Sequence, residues 1–163
     1  MIYTLVGKRG RGKTSLAAEI MVSGHFDQIF IYDFLGEFLE FNIPDYITVA
    51  NRGFTEFMYH VWDNSRAGVE TLLLLDEIAM YGHDNPQIDH IFRLGRHKQI
   101  QVIATSQRFY TLPVICRSQT DIFNVFQITE KRDLDYLRGV VGPTVLDKII
   151  RLEKFQYLTL DLS

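Results

Sequence analysis

Residues Gly7 to Thr14 read G-x-x-x-x-G-K-T, directly behind an apolar segment, Ile2–Val6. No other feature restricts the fold of this chain so strongly. A phosphate-binding loop works only when a buried strand delivers it and a helix leaves it, so that successive backbone amides point at one anion. The run Ser15-Leu16-Ala17-Ala18-Glu19-Ile20-Met21 supplies that helix. Strand, loop and helix in this order predict a nucleoside triphosphate site, with ATP as ligand and Gly7, Lys8, Arg9, Gly10, Arg11, Gly12, Lys13, Thr14 and Ser15 around it.

The rest of the chain alternates in the same way. Apolar runs at Ile2–Val6, Gln28–Tyr32, Thr71–Leu75, Ile100–Thr105 and Ile122–Ile128 read as strands. Helical patterns fall near Lys13–Val22, Phe54–Asn64, Pro86–His97, Lys131–Gly139 and Pro143–Leu152. Alternation of this kind predicts an α/β fold of the P-loop NTPase type, with a central, mostly parallel sheet and helices on both faces. A last run, Phe155–Leu160, alternates more and reads as a C-terminal edge strand, possible in antiparallel pairing. Asp33 to Phe38 and the stretch on to Gly53 read as irregular.

With 163 residues, 47% hydrophobic and 23% charged, one compact domain over 1–163 is expected. The net charge of −3 excludes a globally basic nucleic-acid binder, so any DNA contact must come from a local patch. The single cysteine, Cys116, excludes an internal disulfide and reads as a small buried residue. The start of the chain lacks the features of a signal peptide, and no apolar run reaches membrane-spanning length. The five histidines show no metal-ligand spacing. Trp62 reads as helix packing beside Phe57, Met58 and Val61.

Four segments carry candidate chemistry. In the loop, Lys13 offers a point charge to the β- and γ-phosphates and the Thr14 hydroxyl a ligand to Mg2+. Lys8 reads as a solvated loop tip. Arg9 and Arg11 fit either that role or contact with phosphate or a neighbouring subunit. The second segment is Leu72–Leu75 followed by Asp76-Glu77. A carboxylate at a buried strand end, Asp76, can hold Mg2+ through water, and the adjacent Glu77 can act as general base on attacking water. The third is Ala104-Thr105-Ser106-Gln107, where Gln107 can contact both the γ-phosphate and that water. The fourth is Arg93-Leu94-Gly95-Arg96. Arg93 and Arg96 share a helix face at this spacing, and either suits a charge-neutralising arginine lent to a neighbour or an exposed helix end. Arg117 is a further candidate for the lent arginine.

With these residues in place, the chain resembles the FtsK–HerA superfamily of DNA-pumping ATPases. Within it, the nearest likeness is to the minimal genome-packaging ATPases of membrane-containing icosahedral viruses, the tectivirus-like and archaeal turreted lineage. The resemblance covers Met1 to about Leu137. It is carried by Gly7–Thr14, Asp33-Phe34-Leu35-Gly36-Glu37-Phe38, Leu72–Glu77 and Arg93–Gln107, and most specifically by Gly95–Ile100 followed by Ala104–Gln107. Leu112–Arg117 and Thr120–Ile128 extend it. The resemblance implies Glu77 as base, Asp76 as metal-holding carboxylate, Gln107 as sensor and one of Arg93, Arg96 or Arg117 acting in trans. It implies the Gln107 strand between the P-loop strand and the Asp76 strand. It also implies a hexameric ring threading double-stranded DNA, capsid portal or vertex proteins as partners, and action in the host cytoplasm or the virion. Lys98, Arg96 and the Met80–Gln87 loop are the candidates for DNA contact.

Two other functions fit a small P-loop chain. One is a Zot-like phage assembly and export protein, although that group generally carries a membrane segment. The other is a small-molecule kinase, which the adjacent Asp76-Glu77 disfavours because it points to water as acceptor.

Overall fold

The structure is a computed structural model and describes residues 1–36, 46–82 and 84–162. Glu37, Phe38 and His83 lie outside the described residues. Seven strands form one sheet in the order β3-β2-β4-β5-β1-β6-β7. These are β1 Ile2–Val6, β2 Gln28–Tyr32, β3 Ile47–Ala50, β4 Thr71–Leu75, β5 Ile100–Ser106, β6 Ile122–Phe126 and β7 Tyr157–Asp161. All neighbours pair in parallel except β6 and β7, so the C-terminal strand is an antiparallel edge strand. β5 lies between β1 and β4, as the resemblance implies.

The helices are α1 Lys13–Ser23, α2 Phe54–Asn64, α3 Pro86–Leu94, α4 Val114–Gln119, α5 Lys131–Val141 and α6 Pro143–Arg151. They cover the two sheet faces unequally. Leu16 and Ala17 of α1 pack with Leu5, Ile29, Ile31, Leu72, Leu74 and Ile103 on one face. On the other face, Leu73, Leu75, Val102 and Val125 meet residues of α2, α3, α4, α5 and α6. The leucines of β4 therefore point alternately into both layers, and all four are fully buried. Burying each side chain of this kind is worth about 1.5–3 kcal/mol, which makes β4 the strongest anchor for whatever follows it.

Three local expectations change. Ile47–Ala50, read as irregular, is an edge strand parallel to β2. Four residues, three half-buried and one exposed, are too short a pattern to stand out. The helix expected over Pro86–His97 ends at Leu94 and continues as a 3-10 turn over Gly95–Lys98. Gly95 is buried there, and a Cβ on it would stand 3.3 Å from Ile100 Cβ, so close packing onto β5 sets the bend. Arg93 and Arg96 are therefore on two different elements rather than one helix face. Between Leu112 and Ile122 the six-residue α4 appears, behind Pro113, where no helix was read.

Candidate functional site

β1 and β5 end level, with Val6 opposite Ser106, and β4 ends two residues earlier, with Leu75 opposite Ala104. Everything attached to those ends meets at the carboxyl edge of the sheet, where ligands collect in folds of this kind. The Gly7 N–H donates to the Ser106 carbonyl at 3.1 Å, which fixes the start of the loop against β5. Gly7 also passes so close to β6 that a Cβ would lie 2.6 Å from Phe126 Cβ, and no larger residue fits. Gly12 caps α1 with φ at +107° and, having no side chain, makes no cap hydrogen bond to the first helical amides. Those amides are the anion-binding end of the helix. Lys13, almost fully buried, donates from Nζ to the carbonyls of Gly7 at 2.8 Å and Lys8 at 3.3 Å, bracing the loop across its base.

Opposite the loop, β4 delivers Asp76 and Glu77, both buried. Two strand spacings separate β4 from β1, about 10 Å, which leaves room for phosphate and a hydrated cation. The Thr105 hydroxyl of β5 ties the two acids together. It donates to Asp76 Oδ1 at 2.7 Å and accepts the Glu77 N–H at 3.0 Å. Glu77 adopts φ +48° and ψ +53°, a left-handed conformation that a residue with a side chain rarely takes. Strain of this kind persists where surrounding contacts hold it, and here Thr105 is such a contact. Tyr81, in the 3-10 turn Ile78–Tyr81, donates its hydroxyl to the Asp76 carbonyl at 2.7 Å. Its ring stacks on Phe54 at 4.1 Å and meets Tyr32 edge-on at 5.2 Å. Burial, and then the charge of Asp76, push the Tyr81 hydroxyl above its ordinary pKa of 10, so it stays a neutral donor.

Loop and acids share one cavity of about 320 Å³, lined by Arg9, Gly10, Gly12, Lys13, Thr14, Ser15, Asp76 and Glu77. Leu35, Lys154 and Phe155 complete the lining. Thr14 and Asp76 are thus brought together, and their oxygen donors suit a hard cation such as Mg2+. Among the described residues no group of three or more His, Cys, Asp or Glu converges as a metal cage, so such an ion would need phosphate and water as further ligands.

Gln107 follows β5 and is exposed. It does not line the cavity of the loop and the acids but a separate, smaller one of about 110 Å³, with Lys8, Arg108, Thr129, Glu130 and Asp133. The segment around it is tied to the start of α5. Asp133 Oδ1 accepts the Tyr110 N–H at 2.7 Å, Arg108 pairs with Glu130 at 3.5 Å, and Lys8 donates to Thr129 Oγ1 at 2.6 Å. Lys8 is exposed, as a solvated loop tip would be, and this hydrogen bond is itself at the surface.

The three arginines are elsewhere. Arg93 ends α3, and its Nε donates to both carboxylate oxygens of Asp89 at 3.0 Å. Arg96 is exposed in the turn that precedes β5. β5 has seven residues and spans about 20 Å, so Arg96 stands at the opposite edge of the sheet from the loop. Arg117 lies on α4 ahead of β6, with its guanidinium 4.9 Å from the centre of the Tyr136 ring. Lys98, a candidate for DNA contact, donates to the Trp62 carbonyl at 2.6 Å and covers the Trp62 ring at 4.2 Å. Cys116 is fully buried, and burial pushes its thiol up to about 12, which leaves it inert.

Four residues at the site escaped the sequence reading. Thr105 stood inside a segment that had been singled out, but nothing in the pattern showed which side chain turns toward β4. Tyr81 had no signal. Lys154 and Phe155 precede a strand remote in sequence, and only the return of β7 beside β6 brings them to the loop.

No family model matches the sequence. The chain is 29% identical over 111 residues to the DNA packaging ATPase P9 of Enterobacteria phage PRD1, covering 63% of this chain. The matched stretch spans about half the length of that relative, 48%. Among solved structures, the genome packaging NTPase B204 of Sulfolobus turreted icosahedral virus 2, in complex with AMPPCP, superposes with a TM-score of 0.79 at 23% identity. That superposition covers 99% of this chain and 92% of B204. The fold is that of the viral genome-packaging NTPases. More distantly, the N-terminal domain of zonular occludens toxin from Neisseria meningitidis matches with a TM-score of 0.56 at 17% identity, over 80% of this chain and 78% of that domain. The packaging-NTPase fold thus extends over nearly the whole chain, including the β6–β7 edge that carries Phe155.

Proposed function

We propose that this chain is a single P-loop ATPase domain that hydrolyses ATP to drive double-stranded viral DNA into a preformed capsid. The observation that carries the reading is the meeting, in one cavity, of the P-loop with an Asp76-Glu77 pair locked by Thr105 of the intervening strand. The likeness to P9 directs that hydrolysis toward packaging.

In this reading the amides of Gly10 to Thr14 and the Lys13 ammonium hold the phosphates, with Ser15 and Arg9 at the margin. Mg2+, held by Thr14 and Asp76, would supply charge neutralisation between the β- and γ-phosphates. Glu77 takes the proton from the attacking water, and Gln107 orients that water along the line of the leaving ADP. Products are ADP and inorganic phosphate. None of Arg93, Arg96 and Arg117 lines the cavity of the loop and the acids, so in this reading the arginine acts in trans within a ring of copies, six in the resembling family. Arg11 faces a neighbour in such a ring. The motor would act in the infected host cell at the packaging vertex of the capsid, with portal or vertex proteins as partners. Among the described residues no helix is long and apolar enough to cross a membrane.

The test is phosphate release by the purified protein with and without linear double-stranded DNA. Packaging predicts release that DNA stimulates and that Lys13→Ala abolishes. Hydrolysis indifferent to DNA would favour an export role of the Zot type. Transfer to a small acceptor without phosphate release would favour a kinase.

A further inference from the structure

The phosphate end of the cavity is accounted for by the loop and the two acids, but the nucleoside end is not. The γ-phosphate belongs beside Asp76-Glu77, on the β4 side of the P-loop. Strand order then leaves one direction for the nucleoside, away from β4 and toward β6 and β7. On that side the chain places Lys154 and Phe155, in the turn between α6 and β7. Both line the cavity. The Phe155 ring lies directly over Gly12, so near that a Cβ on Gly12 would come within 2.9 Å of Phe155 Cδ1.

Two features of Phe155 lack an explanation in packing. The residue is 61% exposed, although a Phe at the end of a helix-to-strand turn gains most by burial. Its backbone holds φ at +68°, a conformation that bulky residues rarely adopt and that glycine would adopt freely. Residues held in such conformations cluster at ligand-binding sites. The ring already attracts a cation, the Lys154 ammonium, 4.8 Å from its centre.

We propose that Phe155 is the stacking platform for the nucleobase of the bound triphosphate, the base lying on the exposed ring at the β7 edge. This rests on the nucleotide-binding reading above and extends it to the base. A platform that reads a π face accepts any base, so selectivity among nucleoside triphosphates is weak and follows stacking strength, purines above pyrimidines.

The experiment is equilibrium binding of ATP and of inorganic tripolyphosphate, each competing with a fluorescent ATP analogue, to the full chain. Phe155→Ala is expected to weaken ATP about ten-fold while tripolyphosphate is unchanged, because only ATP has a base to stack. Phe155→Trp restores ATP affinity and reports binding by quenching of its own fluorescence. Phe155→Leu, which keeps an apolar contact over Gly12 without a π face, behaves like the alanine variant. ATP affinity unchanged in Phe155→Ala, equal weakening of both ligands, or full rescue by Phe155→Leu overturns the platform. If wild type binds neither ligand, or Lys13→Ala binds both normally, it is the nucleotide-binding reading that fails.

Discussion

The two edges of the sheet are built by different rules. At the carboxyl edge, polar groups are buried and tied to one another: Lys13 to its loop, Thr105 to both acids, Tyr81 to the Asp76 backbone. At the amino edge, the charged groups at the end of α3 and in the turn after it are on the surface. The Arg93–Asp89 pair leaves each side chain about half exposed, and Arg96 is exposed. Buried, mutually satisfied networks hold geometry tightly, whereas exposed pairs contribute at most about 1 kcal/mol and are easily exchanged. One edge is organised for chemistry inside the chain. The other is suited to contact with a second molecule.

The largest expected effect tests that division directly. If the proposed ring forms, replacing its trans-acting arginine by alanine lowers turnover by about 10³-fold or more, although the residue is at the edge remote from its own P-loop. Wild-type rings doped with the Arg93→Ala, Arg96→Ala or Arg117→Ala chain lose activity more steeply than the fraction added only for the true donor. A linear loss for all three would place the neutralising charge within the chain and break the comparison. Next in size is Glu77→Gln, expected to lower hydrolysis about 10²- to 10⁴-fold with ATP binding retained. Hydrolysis at the wild-type rate would remove Glu77 from the base role.

The carboxyl edge was also the more legible in sequence, for a physical reason. Its features are local: a glycine loop, four leucines ending in two acids, and a polar strand end each occupy a few consecutive residues. The place of the Gln107 strand between the P-loop and Asp76 strands followed from the family likeness, and the C-terminal edge strand from its own alternating run. What escaped depends on register or on return of the chain. Thr105 serves Asp76 because β5 pairs with β4 at Leu75 and Ala104, a fact of pairing that no single strand encodes. Phe155 reaches Gly12 only through the β6–β7 hairpin-like edge. Gly95 bends the end of α3 because Ile100 packs against it, so the helical spacing of Arg93 and Arg96 did not survive.

Thr105→Val sharpens the comparison at intermediate size. Valine keeps the shape but removes the acceptor of the Glu77 N–H and a donor to Asp76, costing about 1–3 kcal/mol of stability because those groups are buried. Hydrolysis should fall with it, since the strained Glu77 backbone loses a fixed partner. Thr105→Ser should restore both, as read by denaturant melts and phosphate release. An amino-edge change such as Arg93→Ala should alter stability by no more than about 1 kcal/mol.

The smallest effect distinguishes the two edges by pH. Asp133 is buried at the first turn of α5, where it accepts the Tyr110 N–H and anchors the segment that carries Gln107. Burial is the main influence on its carboxyl and raises the pKa above the ordinary 3.8, against the lowering influence of the Tyr110 amide and Arg108. A raised folded-state pKa means that the folded chain holds this proton more firmly than the unfolded one. Its contribution to stability is complete below pH 3.8 and is lost as pH rises through the folded value. Asp133→Asn keeps an acceptor for Tyr110 and cannot lose a proton. Thermal melts from about pH 4 to pH 7 should therefore show the variant gaining on wild type as pH rises. The Arg93–Asp89 pair is exposed and has no buried acid of this kind. A parallel Asp133→Asn curve would show that the carboxylate is solvated in place, and that the anchoring of the Gln107 segment is as loose as the contacts at the amino edge.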